Sequence, residues 1–216
     1  MTVTIAEELL LLAYNEAGKP LINSMQLDPA LAGAILAELA VADRVELSGK
    51  KVTLKDPAPL GDDELDATLT RIAAERKDRK PEWWVQRLKS AKLRKRLLTK
   101  LAAAGVLTEE RSKVLSIFPI TRWPEAQPGV EANVRERVSA VLAGADPDAR
   151  SAVLIAIMHA AKLDRKAFPG ASKARVKEIA EGAWAGDAVA KTIAAINAAA
   201  IAAISAATAA TVASSG

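Results

Sequence analysis

The sequence predicts a mainly α protein: a single-domain helical bundle ringed by amphipathic helices, with one or two short β-hairpins. Three observations predict it. Half of the 216 residues are apolar yet only 3% are aromatic, so alanine and aliphatic side chains fill a core of closely packed helices. Apolar residues recur at helical spacing through most of the chain. Two-residue alternation is confined to short stretches, which suits hairpins and not a large sheet. A chain of this length holds one full core, so residues 1–216 are read as one domain, with roughly the last ten residues a frayed tail.

Ile5–Asn15 opens the chain as a helix: Thr4 is its N-cap, Leu9 and Leu12 share a side, and Gly18 stops it. Asp28 is read as the start of a second helix, with Pro29 at its first position and Leu31, Ile35, Leu36 and Leu39 turned inward. Val45–Leu54 alternates apolar and polar residues across a Ser48-Gly49 turn, the pattern of a hairpin. After a Pro/Gly loop, Leu65, Leu69 and Ile72 mark an amphipathic helix, and Glu75–Pro81 is a charged connection. Trp83–Leu88 and Leu93–Ala104 form one broken helix or two, ended by Gly105.

Val114–Pro124 is short, apolar and β-prone. Pro119 in its middle disfavours a central strand and suits a hairpin whose turn holds Phe118-Pro119. Helices at Val134–Leu142, Ala149–Lys162, Lys173–Ala185 and Asp187–Ala207 complete the chain. The uncharged Thr192–Val212 run is long enough to cross a bilayer. Its Ile193, Ile196, Ile201 and Ile204 recur at helical spacing, however, and Asn197, Ser205, Thr208 and Thr211 interrupt it, so it reads as a buried helix facing protein.

Composition narrows the chemistry. There is no cysteine and one histidine, which excludes disulfides and Cys-based metal sites. Hydrolytic triads lack parts, and no Gly-rich phosphate loop is present. His159, in the apolar helix Ala152–Ala161, reads as a hydrogen-bonded core histidine more readily than as a general base. A non-enzyme without a cofactor is expected. No charged segment followed by an apolar one opens the chain, so no secretory signal is expected. A net charge of +4 favours acidic partners without choosing among them.

The charge is concentrated. Between Val85 and Thr108 lie Arg87, Lys89, Lys92, Arg94, Lys95, Arg96 and Lys100, and no acidic residue. Beside an apolar hairpin, such a run suits an anionic lipid surface, or else a solvated helix face next to a core strand. Projected at 100° per residue, Leu93, Leu97, Leu101 and Ala104 make one apolar stripe, from which Lys89, Lys92, Lys95 and Arg96 point away. Arg94 falls beside the stripe, as does Arg87 if the helix is continuous. An inward arginine needs an acidic protein partner or an anionic ligand.

Taken together, Ile5–Ala13, Leu31–Ala40, Trp84–Leu88, Arg94–Leu97 running into Gly105–Thr108, and the hairpin ending at Trp123-Pro124 resemble, in collinear order, the Golgi phosphoprotein 3 family in a bacterial, actinobacterial-like branch. The resemblance implies a peripheral, non-enzymatic membrane protein that binds phosphatidylinositol 4-phosphate or a similar anionic phospholipid. Cytoplasmic residence on the inner face of the membrane is the expected location. The family's headgroup tryptophan falls at Asn23, its second-helix arginine at Ala32 and the first of its paired arginines at Ala91, while Arg94 matches. Arg94 is therefore expected to hold a phosphate, with Arg87, Lys92 and Arg96 adding attraction. Leu115, Ile117, Phe118 and Trp123 are expected to insert into membrane or to join two copies of the chain. Two rival readings remain at this point: a winged-helix-like nucleic-acid binder with Lys50 and Lys51 on its wing, and a scaffold that self-associates through the hairpin. Nucleic acid is the less expected partner, because the second helix shows few basic or amide side chains for reading bases.

Overall fold

The computed structural model describes residues 3–114, 118–127, 129–182, 194–196, 198, 199 and 202. The elements run α1 (Ile5–Ala13), α2 (Ser24–Val41), β1 (Val45–Ser48), β2 (Lys51–Leu54), α3 (Asp63–Ala74), α4 (Pro81–Leu88) and α5 (Ala91–Ala103). Then come β3 (Glu110–Val114), β4 (Phe118–Arg122), α6 (Val130–Leu142), α7 (Ala149–Ala160), α8 (Asp164–Ala167) and α9 (Lys173–Ala180). Among the described residues β1 pairs only with β2, and β3 only with β4. The protein is thus mainly helical with two short hairpins, as its sequence predicts.

At the centre α1, α2 and α7 pack on one another. Every residue of α1 is buried, Glu7 and Glu8 included, the mark of a helix surrounded on all sides. Leu9, Leu10, Leu11 and Leu12 are each exposed by 1% or less, and burying one such side chain stabilises the fold by roughly 1.5–3 kcal/mol. Around this centre the outer helices bury one stripe each: Leu65, Leu69 and Ile72 of α3, Trp84, Val85 and Leu88 of α4, and Leu93, Leu97 and Leu101 of α5. α6 packs on α1 and α7, and α9 on α7. In the last predicted helix the described residues are helical, with Ile196 and Ala199 fully buried. Ile193, Asn197, Ile201, Ile204, Ser205, Thr208 and Thr211 lie outside the described residues. Among those described, no helix is long and apolar enough to cross a membrane.

Local chemistry sets the boundaries. Thr4 and Glu7 form a capping box at α1. α2 begins at Ser24, not Asp28, because the Asn23 side chain accepts from the Gln26 N–H at 3.0 Å and caps the helix earlier. Pro29 therefore sits inside α2, where it removes one helical hydrogen bond. Burial of Leu27, Leu31, Ile35, Leu36 and Leu39 outweighs that loss. In the first hairpin Gly49 and Lys50 carry φ of 53° and 68°, so the two-residue turn is Gly49-Lys50, one residue later than expected, in the doubly left-handed conformation that matches strand twist.

The basic segment is two helices. Ser90, in an extended conformation, accepts from the Leu93 N–H and starts α5 afresh. The helical phase that would align Arg87 with Arg94 is broken there. In the second hairpin Phe118 and Pro119 belong to β4, opposite Val114 and Lys113, so they do not form the turn. Residues 115–117, including Leu115 and Ile117, lie outside the described residues.

Candidate anion-binding site

A cleft of about 760 Å³ opens where four parts of the chain converge: the end of α1, the loop leading into α2, the first turns of α5 and the base of the β3–β4 hairpin. Tyr14 lies at the end of α1, Ile22 and Asn23 come from the loop, Ala91, Arg94, Lys95 and Leu98 from α5, and Glu109, Arg111, Thr121 and Trp123 from the hairpin. Both α2 and α5 begin at this cleft, with Asn23 and Ser24 at one start and Ala91 at the other. Two helix starts bring partly positive N–H ends to one concavity, which favours an anion there.

Arg94 is the central charge. Its guanidinium pairs with the Asp28 carboxylate of α2, and the two side chains remain 22% and 15% exposed. The internal acid and the open cleft, which sequence projection poses as two destinations for Arg94, are thus both present. Burial pushes the Asp28 carboxyl above the ordinary aspartate range, against the opposing pull of the Arg94 charge, the hydrogen bond from Arg94 and the charge of Lys89. Burial likewise raises the Tyr14 phenol, with Arg94 pulling it down and Asp28 pushing it up. Arg111 is held by Glu109 at 2.9 Å, while Lys95 is exposed. Positive charge therefore predominates on the walls.

The other expected residues are dispersed. Arg96 turns to the opposite side of α5 and meets Glu64 of α3 through two hydrogen bonds. Lys92 is exposed on that same side, in a shallow groove with Asp63 and Glu64. Arg87 stands on α4 in a separate cavity. Trp123, grouped with the hairpin's inserting residues by its sequence, is only 6% exposed and forms part of the cleft wall at the hairpin's base. Its backbone N–H donates to the Gly18 carbonyl at 3.0 Å, which fastens the hairpin to the loop after α1. Of the four headgroup positions implied by family resemblance, Asn23, Ala91 and Arg94 line the cleft, and Ala32 is fully buried in α2.

Sequence reasoning missed Asp28, Tyr14 and Arg111 as parts of this site. His159 has the hydrogen-bonding partner expected of it, Asp164 at 3.0 Å, but its side chain is 37% exposed at the end of α7 and is not a core histidine. Among the described residues no group of three His, Cys, Asp or Glu side chains is placed to hold a metal ion. α2, which a winged helix would lay in a DNA groove, is buried at nearly every position from Leu27 to Ala40. A family model described as Golgi phosphoprotein 3 (GPP34) matches residues 5–196.

Proposed function

The chain belongs to the Golgi phosphoprotein 3 family, and we propose that it is a non-enzymatic peripheral protein that docks on anionic phospholipid through the Arg94 cleft. The observation that carries this reading is Arg94 itself, a partly exposed guanidinium in a concavity where two helices start. A phosphate seated there displaces Asp28 as the arginine's partner. Lys95 and Arg111 on the walls and Lys92 beyond them add attraction of about 1 kcal/mol each near an anionic surface. Asn23 and Ala91 offer no aromatic ring and no second guanidinium, so recognition extends to anionic headgroups generally and is not restricted to phosphatidylinositol 4-phosphate. The segment carrying Leu115, Ile117 and Phe118 supplies the apolar side chains that enter the membrane, on its inner face. The same hairpin exposes Ile120 by 37%, which supports contact with a second copy as its other use.

The test is co-sedimentation with neutral, phosphatidylglycerol and phosphatidylinositol 4-phosphate vesicles at two salt concentrations. Binding to both anionic kinds, weakening with salt, is expected; absence of binding to every vesicle contradicts the reading. Asp28→Asn carries a further expected result. Removing the competing carboxylate raises affinity for anionic vesicles by about tenfold, or ~1.4 kcal/mol. Wild-type binding strengthens as pH falls through the raised Asp28 pKa, because protonation releases Arg94. The Asp28→Asn variant lacks that dependence even though Lys89, Tyr14, Lys95, Glu109 and Arg111 still face the region. Unchanged or weaker binding by the variant contradicts competition for Arg94.

A further inference from the structure

A second cavity, of about 470 Å³, lies between the end of α3 and the face of α4 and shares no residue with the Arg94 cleft. Its walls are Arg71, Ala74, Glu75, Trp83, Trp84 and Arg87. We propose that Arg71 and Arg87 together grip a phosphate group in this cavity, making a second anion site independent of the first.

The arginines of the described residues differ in whether they are paired. Arg44, Arg79, Arg94, Arg96, Arg135, Arg137 and Arg150 all meet a carboxylate. Arg71 and Arg87 meet none among the described residues, although they line the same concavity from two different helices. The one carboxylate on the wall, Glu75, is already held by Arg79 through Nε at 3.3 Å and Nη2 at 3.1 Å. Two positive charges therefore face a shared space with no anion assigned to them, and a bound anion relieves their repulsion.

The walls select the kind of anion. Trp84 is 2% exposed and meets Trp83 edge-on, with ring centroids 4.9 Å apart. Arg79 covers the Trp83 ring at 4.9 Å, so the aromatic floor is fixed on both sides. The indole floor gives the cavity an apolar base beneath the two guanidinium groups. A carboxylate has two oxygens, enough for one fork. A phosphate has oxygens for both, which makes it the better fit to two arginines.

The surroundings draw anions to the same place. The Val52 N–H donates to the Arg79 carbonyl at 2.8 Å, which brings the first hairpin against the α3–α4 connection. Lys50 and Lys51 of that hairpin thus join Arg76, Lys77 and Lys80 of the connection, all exposed, against the exposed carboxylates Asp78 and Glu82. Such an excess raises the local concentration of a phosphate-bearing ligand.

The four tryptophans permit a direct test on the full chain, because Trp83 and Trp84 line this cavity while Trp123 lines the Arg94 cleft. Indole N–H resonances are assigned and followed during titration with pyrophosphate at low salt, then in the presence of phosphatidylcholine vesicles with and without phosphatidic acid. The expected result is a saturable shift of the Trp83 and Trp84 signals, half complete at about 1 mM pyrophosphate or below. Arg71→Gln combined with Arg87→Gln weakens it at least tenfold, and Arg94→Gln leaves it unchanged. Both glutamines replace exposed side chains, and a Trp123 signal at its wild-type position before any anion is added reports that the fold is intact. A response to pyrophosphate identifies a soluble phosphate compound as sufficient. A response only to phosphatidic acid vesicles, lost in the double variant, identifies the lipid headgroup as the source. Signals of Trp83 and Trp84 that ignore both probes, or that shift equally in the double variant, overturn the proposal.

Discussion

Arg150→Met is expected to lower the free energy of unfolding by about 3–5 kcal/mol, because it strands the Glu38 carboxylate and takes one of two arginine partners from Glu8 inside the central helix trio. Arg150, in the first turn of α7, reaches Glu8 of α1 at 3.1 Å and Glu38 of α2 at 2.5 Å, and also donates to the Val3 carbonyl. The Glu8 and Glu38 side chains are only 3% and 13% exposed. Arg137 still holds Glu8 at 2.7 Å after the substitution, but Glu38 keeps only the Ile5 N–H. Burial already raises the Glu38 carboxyl, while the Ile5 hydrogen bond and the Arg150 charge oppose the rise. Loss of Arg150 raises it further. A carboxyl raised in the folded state binds more protons folded than unfolded, so stability falls as pH increases through the folded value. The deficit of the variant is therefore largest near neutrality and shrinks on acidification, which urea unfolding at about pH 7 and about pH 5 measures. Adding Glu38→Gln recovers part of the loss at neutral pH. A deficit below about 1 kcal/mol at both pH values contradicts this account of the centre.

Gly18→Ala is the second large effect, roughly 3 kcal/mol of stability, with the Arg94 cleft distorted as well. Gly18 has φ of +67°, a left-handed conformation that costs an L-residue about 1–2 kcal/mol. The steric term is more severe. A Cβ there meets the Pro124 nitrogen at 2.4 Å, the Trp123 nitrogen at 2.4 Å and the Trp123 carbonyl carbon at 2.6 Å. These are backbone atoms, so no side chain can swing aside. The hairpin base must move away, breaking the hydrogen bond from Trp123 to Gly18 and shifting Trp123 on the cleft wall. A lowered urea midpoint together with weaker binding to anionic vesicles is expected; wild-type stability in the Gly18→Ala variant contradicts the close approach.

These cases also show what local sequence carries and what it does not. α1 is readable from Thr4, Glu7 and the leucine run because caps and periodicity act within one or two turns. The inward placement of Arg94 follows from its phase against Leu93, Leu97 and Leu101, which lie on the same helix. Asp28 is different. Its carboxylate meets Arg94 across 66 residues, and Pro29 beside it mimics a helix start that Asn23 in fact supplies. Arg87 misleads for a local reason, since Ser90 resets the helical phase between it and Arg94. Trp123 reads as one of a run of apolar residues, and its bond to Gly18, over a hundred residues earlier, helps to draw it into the cleft wall. Arg96 reads as a solvated cation because Glu64, its partner, belongs to another helix.

One arginine in a shaped cleft, and not a diffuse basic surface, receives the headgroup in the function proposed above. Binding of Arg94→Gln to phosphatidylglycerol vesicles at fixed salt, set against that of the paired change Lys92→Gln and Arg96→Gln, separates the two. A charged hydrogen bond in the cleft predicts a loss of roughly tenfold or more for Arg94→Gln. The pair loses less, because Lys92 acts only at a distance and Arg96 is already engaged by Glu64. Equal losses, or a greater loss for the pair, contradict the cleft and assign binding to the opposite face of α5.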